Sequence, residues 1–465
     1  MRTISGQPIL TVSEMRAAEE TAVQAGATLM DLMRAAGEAV GEQTRRMASG
    51  APVLILCGPG NNGGDGYIAA AALAKAGHSV RVAASAEPRT DLAKAAYATW
   101  NREVEALGDA DPAPIVVDAL FGIGPTRAVP PEIDAALRRL LPAAKFRIAV
   151  DVPSGVGADD ASVPDYLSGA ASFDLTLAVG ALKPAHVLQP GGSACGEVRI
   201  VDIGLPPIAS TTLVIAPALW GSPKPTDHKY TRGMVAIVAG DLEGAARLAA
   251  TAALRAGAGY AAIFGGSGAG GADALVHRDL SPEALRDPRI GAIVIGPGLG
   301  RDAAARQWLQ RVIADDAAAL VIDGDALHLL ELHSLRGRKN PVVLTPHAGE
   351  FSALFGDGGG SQIDRTRDAA RRSGCIVVFK GATTVISDAQ TAIVSPNGSG
   401  WLSTAGTGDV LAGTIAAAVA GREDADTLQS AADGVWLHAQ AARFAGSAFI
   451  ADDLANALST ARGRT

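Results

Sequence analysis

Short apolar runs alternate with longer stretches in which small and aliphatic residues recur at helical spacing, and this alternation persists along most of the chain. The opening segment, Thr11 to Met47, carries Met, Leu and Ala at helical positions. There Ser13, with a Glu beside it, is placed to cap one helix, and Thr28–Met47 suits a second. Strands are then predicted at Val53–Cys57, Ser79–Ala84, Ile115–Leu120, Phe146–Val150, Leu175–Val179 and Glu197–Asp202, with helices at Tyr67–Ala76, Leu92–Asn101 and Pro131–Leu141. Pro206-Pro207 and Gly221-Ser-Pro-Lys-Pro225 interrupt the rhythm. A fresh cycle begins with strand Met234–Ala239, helix Ala245–Ala256 and strand Tyr260–Phe264. It continues through strands Ala292–Ile295, Ala319–Ile322, Val342–Leu344, Ile376–Lys380 and Thr384–Ser387 to a helix at Val410–Ala420. Repeated βα units predict an α/β protein with doubly wound, mostly parallel sheets. The break divides it into two domains, 1–215 and 216–465.

Composition narrows the class. The 465 residues are 48% hydrophobic but only 4% aromatic, so alanine and valine carry the packing. The 55 glycines cluster in turns between apolar runs, as α/β folds require. A net charge of −8 argues against broad binding to nucleic acid or anionic membranes, yet leaves room for an anionic small molecule in a local cradle. Cys57, Cys195 and Cys375 form no CxxC and no paired framework, which points to a reducing compartment. Residues 1–20 lack a basic-then-apolar leader and no run reaches a membrane-spanning length, so a cytoplasmic enzyme is expected. The Asn397-Gly-Ser399 sequon is then without meaning.

Ligands of doubly wound sheets bind beyond the carboxyl ends of the strands. The chain gathers its glycines and aspartates there. Gly58-Pro-Gly-Asn-Asn-Gly-Gly-Asp-Gly66 follows the first strand, and Ser403-Thr-Ala-Gly-Thr-Gly-Asp-Val-Leu-Ala-Gly413 opens the last predicted helix. Glycines let successive N–H groups converge on a phosphate, and a helix N-terminus adds a favourable dipole. An aspartate beside phosphate is unfavourable unless it binds a cation or handles a proton. Two such turns suggest two chemistries on one phosphorylated substrate.

The first turn formally matches GxGxxG, but no acidic residue ends the next strand, Val80–Ala84, as a dinucleotide fold would require. Asn61, Asn62 and Asp65 offer oxygens to a hard cation instead. Asp118, in Val117-Asp-Ala-Leu-Phe-Gly-Ile-Gly124, and Asp151, in Asp151-Val-Pro-Ser-Gly155, end two later strands. Singly, each could be a helix cap or a turn stiffener; three in consecutive βα loops point to a site. Together with Phe173-Asp-Leu-Thr, Ala181-Leu-Lys-Pro184 and Asp202-Ile-Gly-Leu-Pro206, these segments resemble the NAD(P)H-hydrate epimerase family and its Rossmann-like domain. The resemblance implies that Asn61, Asn62, Gly63, Gly64 and Asp65, with Gly122, Ile123, Gly124, Pro125, Thr126, Arg127 and Ala128, hold the phosphates and ribose of the hydrate. It further implies a potassium ion on Asn62, Asp118 and Ser154, and contact of Asp151 with the hydrated nicotinamide. Asp151 is the candidate for moving protons.

In the second half, Gly296-Pro-Gly-Leu-Gly300, Thr345-Pro-His-Ala-Gly-Glu350, Lys380-Gly-Ala-Thr-Thr384 and Ala405-Gly-Thr-Gly-Asp409 end strands or open a helix in one sheet. Lys380 offers a cation, Thr383 and Thr384 hydroxyls, and Gly406–Gly408 backbone donors, leaving Asp409 as a base. No GxxxxGK[ST] occurs, which excludes a P-loop. The arrangement resembles the ribokinase-like fold and, within it, NAD(P)H-hydrate dehydratase, as does Gly244-Ala-Ala-Arg-Leu-Ala-Ala250 with Leu254-Arg-Ala-Gly-Ala-Gly259. Ala405 stands where that family has glycine, and Asp241 where it often has serine. The resemblance implies nucleotide on Lys380, Gly381, Ala382, Thr383, Thr384, Gly406, Thr407 and Gly408. Hydrate then falls to Ala245, Gly298, Gly300, His347 and Asp409. It implies ADP as phosphoryl donor in bacterial members and ATP in eukaryotic ones, and the alanine-rich bifunctional chain favours ADP; Mg2+ commonly accompanies nucleotide phosphates. NADH hydrate and NADPH hydrate are the implied substrates, in a homo-oligomer. A ribokinase-like small-molecule kinase with an N-terminal ligand-binding module is the alternative.

Overall fold

The computed structural model describes residues 2–124, 128–167, 172–218, 220–268, 270–396, 398–421 and 426–464. Asn397 of the sequon and Pro125, Thr126 and Arg127 of the expected substrate loop lie outside them. The chain divides into two compact units, Met1–Val214 and Ile215–Thr465.

The first unit opens with helices α1 (Val12–Gln24) and α2 (Leu29–Ala48). The cap of α1 is Thr11 rather than Ser13: Thr11 Oγ1 accepts from Glu14 N at 3.3 Å while the Glu14 carboxylate accepts from Thr11 N at 2.8 Å. Ser13 sits one residue too late for this reciprocal box. Thr28 and Asp31 repeat it for α2. There follow β1 (Val53–Cys57), α3 (Asn61–Lys75), β2 (Val80–Ala84), α4 (Asp91–Tyr97), β3 (Glu105–Ala106), β4 (Ile115–Ala119) and α5 (Pro131–Leu140). β5 (Phe146–Val150), β6 (Leu175–Val179), α6 (Gly191–Cys195), β7 (Glu197–Val201) and β8 (Thr212–Val214) complete the unit. The sheet order is β3-β2-β1-β4-β5-β6-β7, parallel throughout. Strands buried on both faces must be apolar along their whole length, which is why Val53–Cys57 is buried at all five positions. From β1 the chain winds outward to β3 and then returns to β4, so the loops after β1 and β4 diverge at a topological switch point.

One boundary differs instructively. The helix expected at Tyr67 begins at Asn61, so the segment Asn61–Gly66 is helical rather than a loop. Glycine is a poor helix former, costing roughly 1 kcal/mol against alanine. Here the missing side chains let α3 lie tightly against α2 and the sheet, with Gly63, Gly64 and Gly66 all buried.

The second unit contains β9 (Met234–Val238), α7 (Glu243–Ala256), β10 (Tyr260–Phe264), β11 (Val276–Arg278), α8 (Pro282–Leu285), β12 (Ile290–Ile295), α9 (Ala303–Asp315), β13 (Ala319–Ile322) and α10 (Asp325–Leu329). β14 (Val342–Leu344), α11 (Ala348–Phe355), α12 (Gln362–Ser373), β15 (Ile376–Phe379), β16 (Thr384–Ser387) and β17 (Ala392–Ser395) follow, before α13 (Thr407–Ala420), α14 (Thr427–Ala445) and α15 (Ala451–Arg462). Its strands run in the order β11-β10-β9-β12-β13-β14-β15-β16-β17. Pairings are parallel as far as β15 and antiparallel through β16 and β17. The strand β17 went unrecognised in the sequence, because the turn at 388–391 carries no glycine or proline. Helix α13 starts at Thr407, three residues before the expected Val410, and packs on α7 through alanines. A methyl group on Gly413 would lie 2.0 Å from the backbone oxygen of Ala249, so the two helix backbones nearly touch. Among the described residues no helix is long and apolar enough to cross a membrane.

Candidate functional sites, one in each unit

In the first unit the residues expected to form a site converge at the β1/β4 switch point. Asn61 and Asn62 open α3, with Gly60 as an extended cap that makes no side-chain hydrogen bond. Asn61 Oδ1 accepts from Thr90 Oγ1 at 2.6 Å, tying the start of α3 to the cap of α4. Asp118 ends β4 and is fully buried. Its carboxylate accepts from Ser154 Oγ at 2.7 Å, Ser154 N at 2.9 Å and Leu120 N at 3.1 Å, while burial raises its pKa. Among the described residues it has no cationic partner. A buried carboxylate held only by neutral donors is short of positive charge. Ser154 Oγ also receives Phe121 N at 2.9 Å. The buried amide nitrogen of Asn62 has no partner, and exchanging the amide's N and O would turn an acceptor to the same spot. One carboxylate, one hydroxyl and one amide oxygen match a weakly polarising monovalent cation, so these residues fit potassium.

Asp151 caps β5 with φ +66°, a left-handed backbone that costs a non-glycine residue about 1–2 kcal/mol. Such strain points to function. Its Oδ1 is 2.5 Å from Lys183 Nζ and accepts from Val179 N at 3.2 Å. Its backbone oxygen accepts from His186 Nε2 at 2.7 Å. His186 Nδ1 accepts from Lys183 N at 2.9 Å, which leaves Nε2 as the donor of a neutral ring, and burial lowers the pKa of His186 to about 4. A side chain on Gly122 would start 3.1 Å from both Asn62 Oδ1 and Asp151 Oδ2. Asp151, Asn62 and the loop after β4 are thus immediate neighbours, whereas Ala128 is exposed further along that loop. Asp65 is buried in α3, and its pKa is raised well above normal by desolvation and then by Asp151.

In the second unit the expected residues again lie at the carboxyl ends of the strands. Gly298 closes on the loop after β9, where Leu242 N donates to Gly298 O at 3.0 Å and Ala245 follows. Gly300 N donates to Asp325 Oδ2 at 3.1 Å. His347 caps α11, its Nδ1 accepting from Gly349 N at 3.1 Å and Glu350 N at 3.3 Å, and its outer edge faces solvent. Lys380, after β15, is 2.5 Å from Asp323 Oδ1, which also accepts from Thr345 Oγ1 at 2.7 Å. Lys380 Nζ and Asp323 Oδ2 lie 3.5 and 3.7 Å from where a side chain on Gly408 would start, directly under the turn Gly406–Gly408 that opens α13. Asp409 follows in the first turn of α13. Its pKa is raised to about 7, chiefly by burial, then by the negative charge of Asp323, while Lys380 opposes. The buried ring of His438 donates from Nε2 to Thr407 O, 3.0 Å away. Thr383 is buried, and Gly381 and Ala382 are exposed. Among the described residues no three His, Cys, Asp or Glu side chains converge as metal ligands.

Lys183, His186, Asp323 and His438 were not singled out from the sequence. Asp323 had a signal: Val321-Ile-Asp323 repeats the apolar-run-then-aspartate pattern of Val117-Asp118 and Val150-Asp151. So did Lys183, a lone cation in the apolar stretch Leu182-Lys-Pro-Ala-His-Val-Leu188.

The two folds and their strand-end sites define a pair of α/β enzymes joined in one chain. Residues 29–185 match the family described as YjeF-related protein N-terminus, and residues 235–462 match NAD(P)H-hydrate dehydratase. The chain is 36% identical over 393 residues to a bifunctional NAD(P)H-hydrate repair enzyme of Mycobacterium tuberculosis, covering 80% of this chain and 79% of that protein. It is 34% identical to one from Pyrobaculum aerophilum, covering 91% of each. Among solved structures, the ADP/ATP-dependent NAD(P)H-hydrate dehydratase of Bacillus subtilis, co-crystallised with ATP/Mg2+, is 25% identical. It covers 52% of this chain and 93% of its own, with TM-score 0.44. The chain belongs to the family of bifunctional NAD(P)H-hydrate repair enzymes, and its activities are the epimerase and dehydratase reactions of that family.

Proposed function

We propose that Met1–Val214 interconverts the R and S hydrates of NADH and NADPH, and that Ile215–Thr465 dehydrates the S form with a nucleotide as phosphoryl donor. In the first unit Asp151 is the group that takes and returns a proton at the hydrated ring. Asn61–Asp65 and the loop from Gly122 to Ala128 hold the phosphates and ribose. Potassium, held by Asn62, Asp118 and Ser154, would supply positive charge beside the substrate phosphates when bound.

In the second unit Lys380, Thr383, Thr384 and the turn Gly406–Gly408 take the nucleotide phosphates, and magnesium, when bound, would supply further positive charge to them. Ala245, Gly298, Gly300 and His347 line the hydrate. Asp409 removes the C6 hydroxyl proton as that oxygen attacks the terminal phosphoryl group, and the P–O bond to the nucleotide breaks. Hydroxide is a poor leaving group; phosphate is a good one. Ring nitrogen then expels phosphate, and loss of the C5 proton restores the double bond. ADP would yield AMP, and ATP would yield ADP.

The observation that carries this reading is an aspartate raised to about 7 in the first turn of a helix, next to a glycine loop underlain by lysine. A base poised near neutral pH suits proton removal from an alcohol. The test is incubation with S hydrate and either ADP or ATP, following return of the reduced-cofactor absorbance. Stable phosphorylation of an alcohol without recovery of NADH or NADPH would sink the assignment.

A further inference from the structure

Lys183 is among the largest fully buried side chains of the chain, and the roles proposed above make no use of it. An ammonium group is removed from water only at high cost unless its partners are well placed. Here Nζ meets Asp151 Oδ1 at 2.5 Å and donates to Val179 O at 2.7 Å. Three residues on, His186 holds the backbone oxygen of the same aspartate. The segment Lys183–His186 therefore grips Asp151 at two points, one on the side chain and one on the backbone. A third contact, from Val179 N, falls on the same oxygen as the lysine. Oδ2 is left on the side of Gly122 and Asn62. Two further carboxyls draw on the same cation. Glu19 of α1 and Asp65 of α3 also face the pair, and both carboxyls are raised, first by desolvation, with the charge of Asp151 adding to it.

We infer that Lys183, braced by His186, is a positioning residue for epimerisation: it pins Oδ1 of Asp151 and so presents Oδ2 to the hydrated ring. This rests on Asp151 being the proton-handling group. Without the lysine only Val179 N, at 3.2 Å, still holds Oδ1, and a misplacement of about 1 Å at a reacting group costs about 100-fold in rate.

The experiment is Lys183→Ala, assayed for R-to-S exchange with and without added ethylammonium. Turnover should fall about 100-fold with KM nearly unchanged, and ethylammonium should restore at least about a tenth of it by filling the vacated channel. Ethanol, which is neutral, and tetramethylammonium, which has no N–H to donate, should restore nothing. Rescue also reports a folded site, since an unfolded unit has no channel to fill. Lys183→Met, which keeps the side-chain length without the charge, should lose turnover and show no rescue. Exchange by Lys183→Met at the wild-type rate would overturn the inference, as would amine-insensitive loss confined to KM. Asp151→Asn separates the two levels: retained exchange there defeats the reading of Asp151 itself, whereas lost exchange beside a fully active Lys183→Met defeats only the role of the lysine.

Discussion

Each unit sets an aspartate, a lysine and a buried histidine near the carboxyl ends of parallel strands, but the lysines are attached differently. In the first unit Lys183 binds the site aspartate, Asp151, directly. In the second, Lys380 binds a different aspartate, Asp323, and Asp409 is left with a half-buried carboxyl whose pKa rises to about 7. A paired carboxylate is fixed in place, whereas a carboxyl crowded by a neighbouring negative charge is poised to exchange its proton. In the proposed function the same three residue types would thus serve an inversion in one unit and proton removal during phosphoryl transfer in the other.

The sharpest way to break this contrast is to neutralise each aspartate in turn. Asp409→Asn should lower dehydration of S hydrate by about 1,000-fold or more while R-to-S exchange continues, and Asp151→Asn should do the reverse by about 100-fold or more. Assays on pure epimers with each variant decide it; loss of both activities from either substitution would mean the sites are not independent. Next in size is the ion pair. Asp151→Asn strands a buried ammonium and Lys183→Met a buried carboxylate, each costing about 3–5 kcal/mol, while the double variant should regain most of that. Denaturant unfolding across this cycle gives the coupling.

The histidines offer a third comparison. Burial lowers His186 and His438 alike to about 4. With a folded pKa below the unfolded value of about 6.5, each contributes stability above pH 6.5 that is lost as pH falls toward 4, at most about 3 kcal/mol apiece. Unfolding midpoints measured between pH 7 and 4 should fall less steeply in His186→Gln for the first unit and in His438→Gln for the second. Smallest is a tuning effect. Dehydration should rise with pH through about 7 as Asp409 loses its proton. Asp323→Asn removes a negative neighbour, which lowers that pKa and moves the rise downward by up to about one unit in a kcat/KM profile. A rise that stays put would show that burial alone, without Asp323, sets the proton affinity of Asp409.

Much of the parallel architecture was legible because doubly buried strands are largely apolar, as Val53–Cys57 is throughout and Leu175–Val179 is apart from Thr176, whose hydroxyl donates to Cys195 O. Helix starts were less so. Asn61–Gly66 and Thr407–Gly408 look like loops, since glycine and asparagine favour turns in isolation; only packing against α2 and α7 makes them helical. The aspartates at strand ends could be picked out singly from their apolar lead-in. Their partners could not, because the Asp151–Lys183 and Asp323–Lys380 contacts join positions 32 and 57 residues apart, and nothing local in the chain records such a meeting.

The near-contact of α7 and α13 has a consequence for the second site. The facing positions, Ala246, Ala249, Ala250 and Ala253 against Ala412, Gly413 and Ala416, have no rotatable side-chain bonds. Ordering them therefore forfeits almost no rotamer entropy, and no rotamer change can absorb a shift of one helix along the other. Asp409 rides at the end of α13 as on a rigid rod, its depth under the glycine loop gauged by backbone against backbone. A single methyl group at Gly413 would lift that rod off its seat, and the resulting loss of dehydration would come from an atom about one helical turn beyond Asp409, on the face turned toward α7.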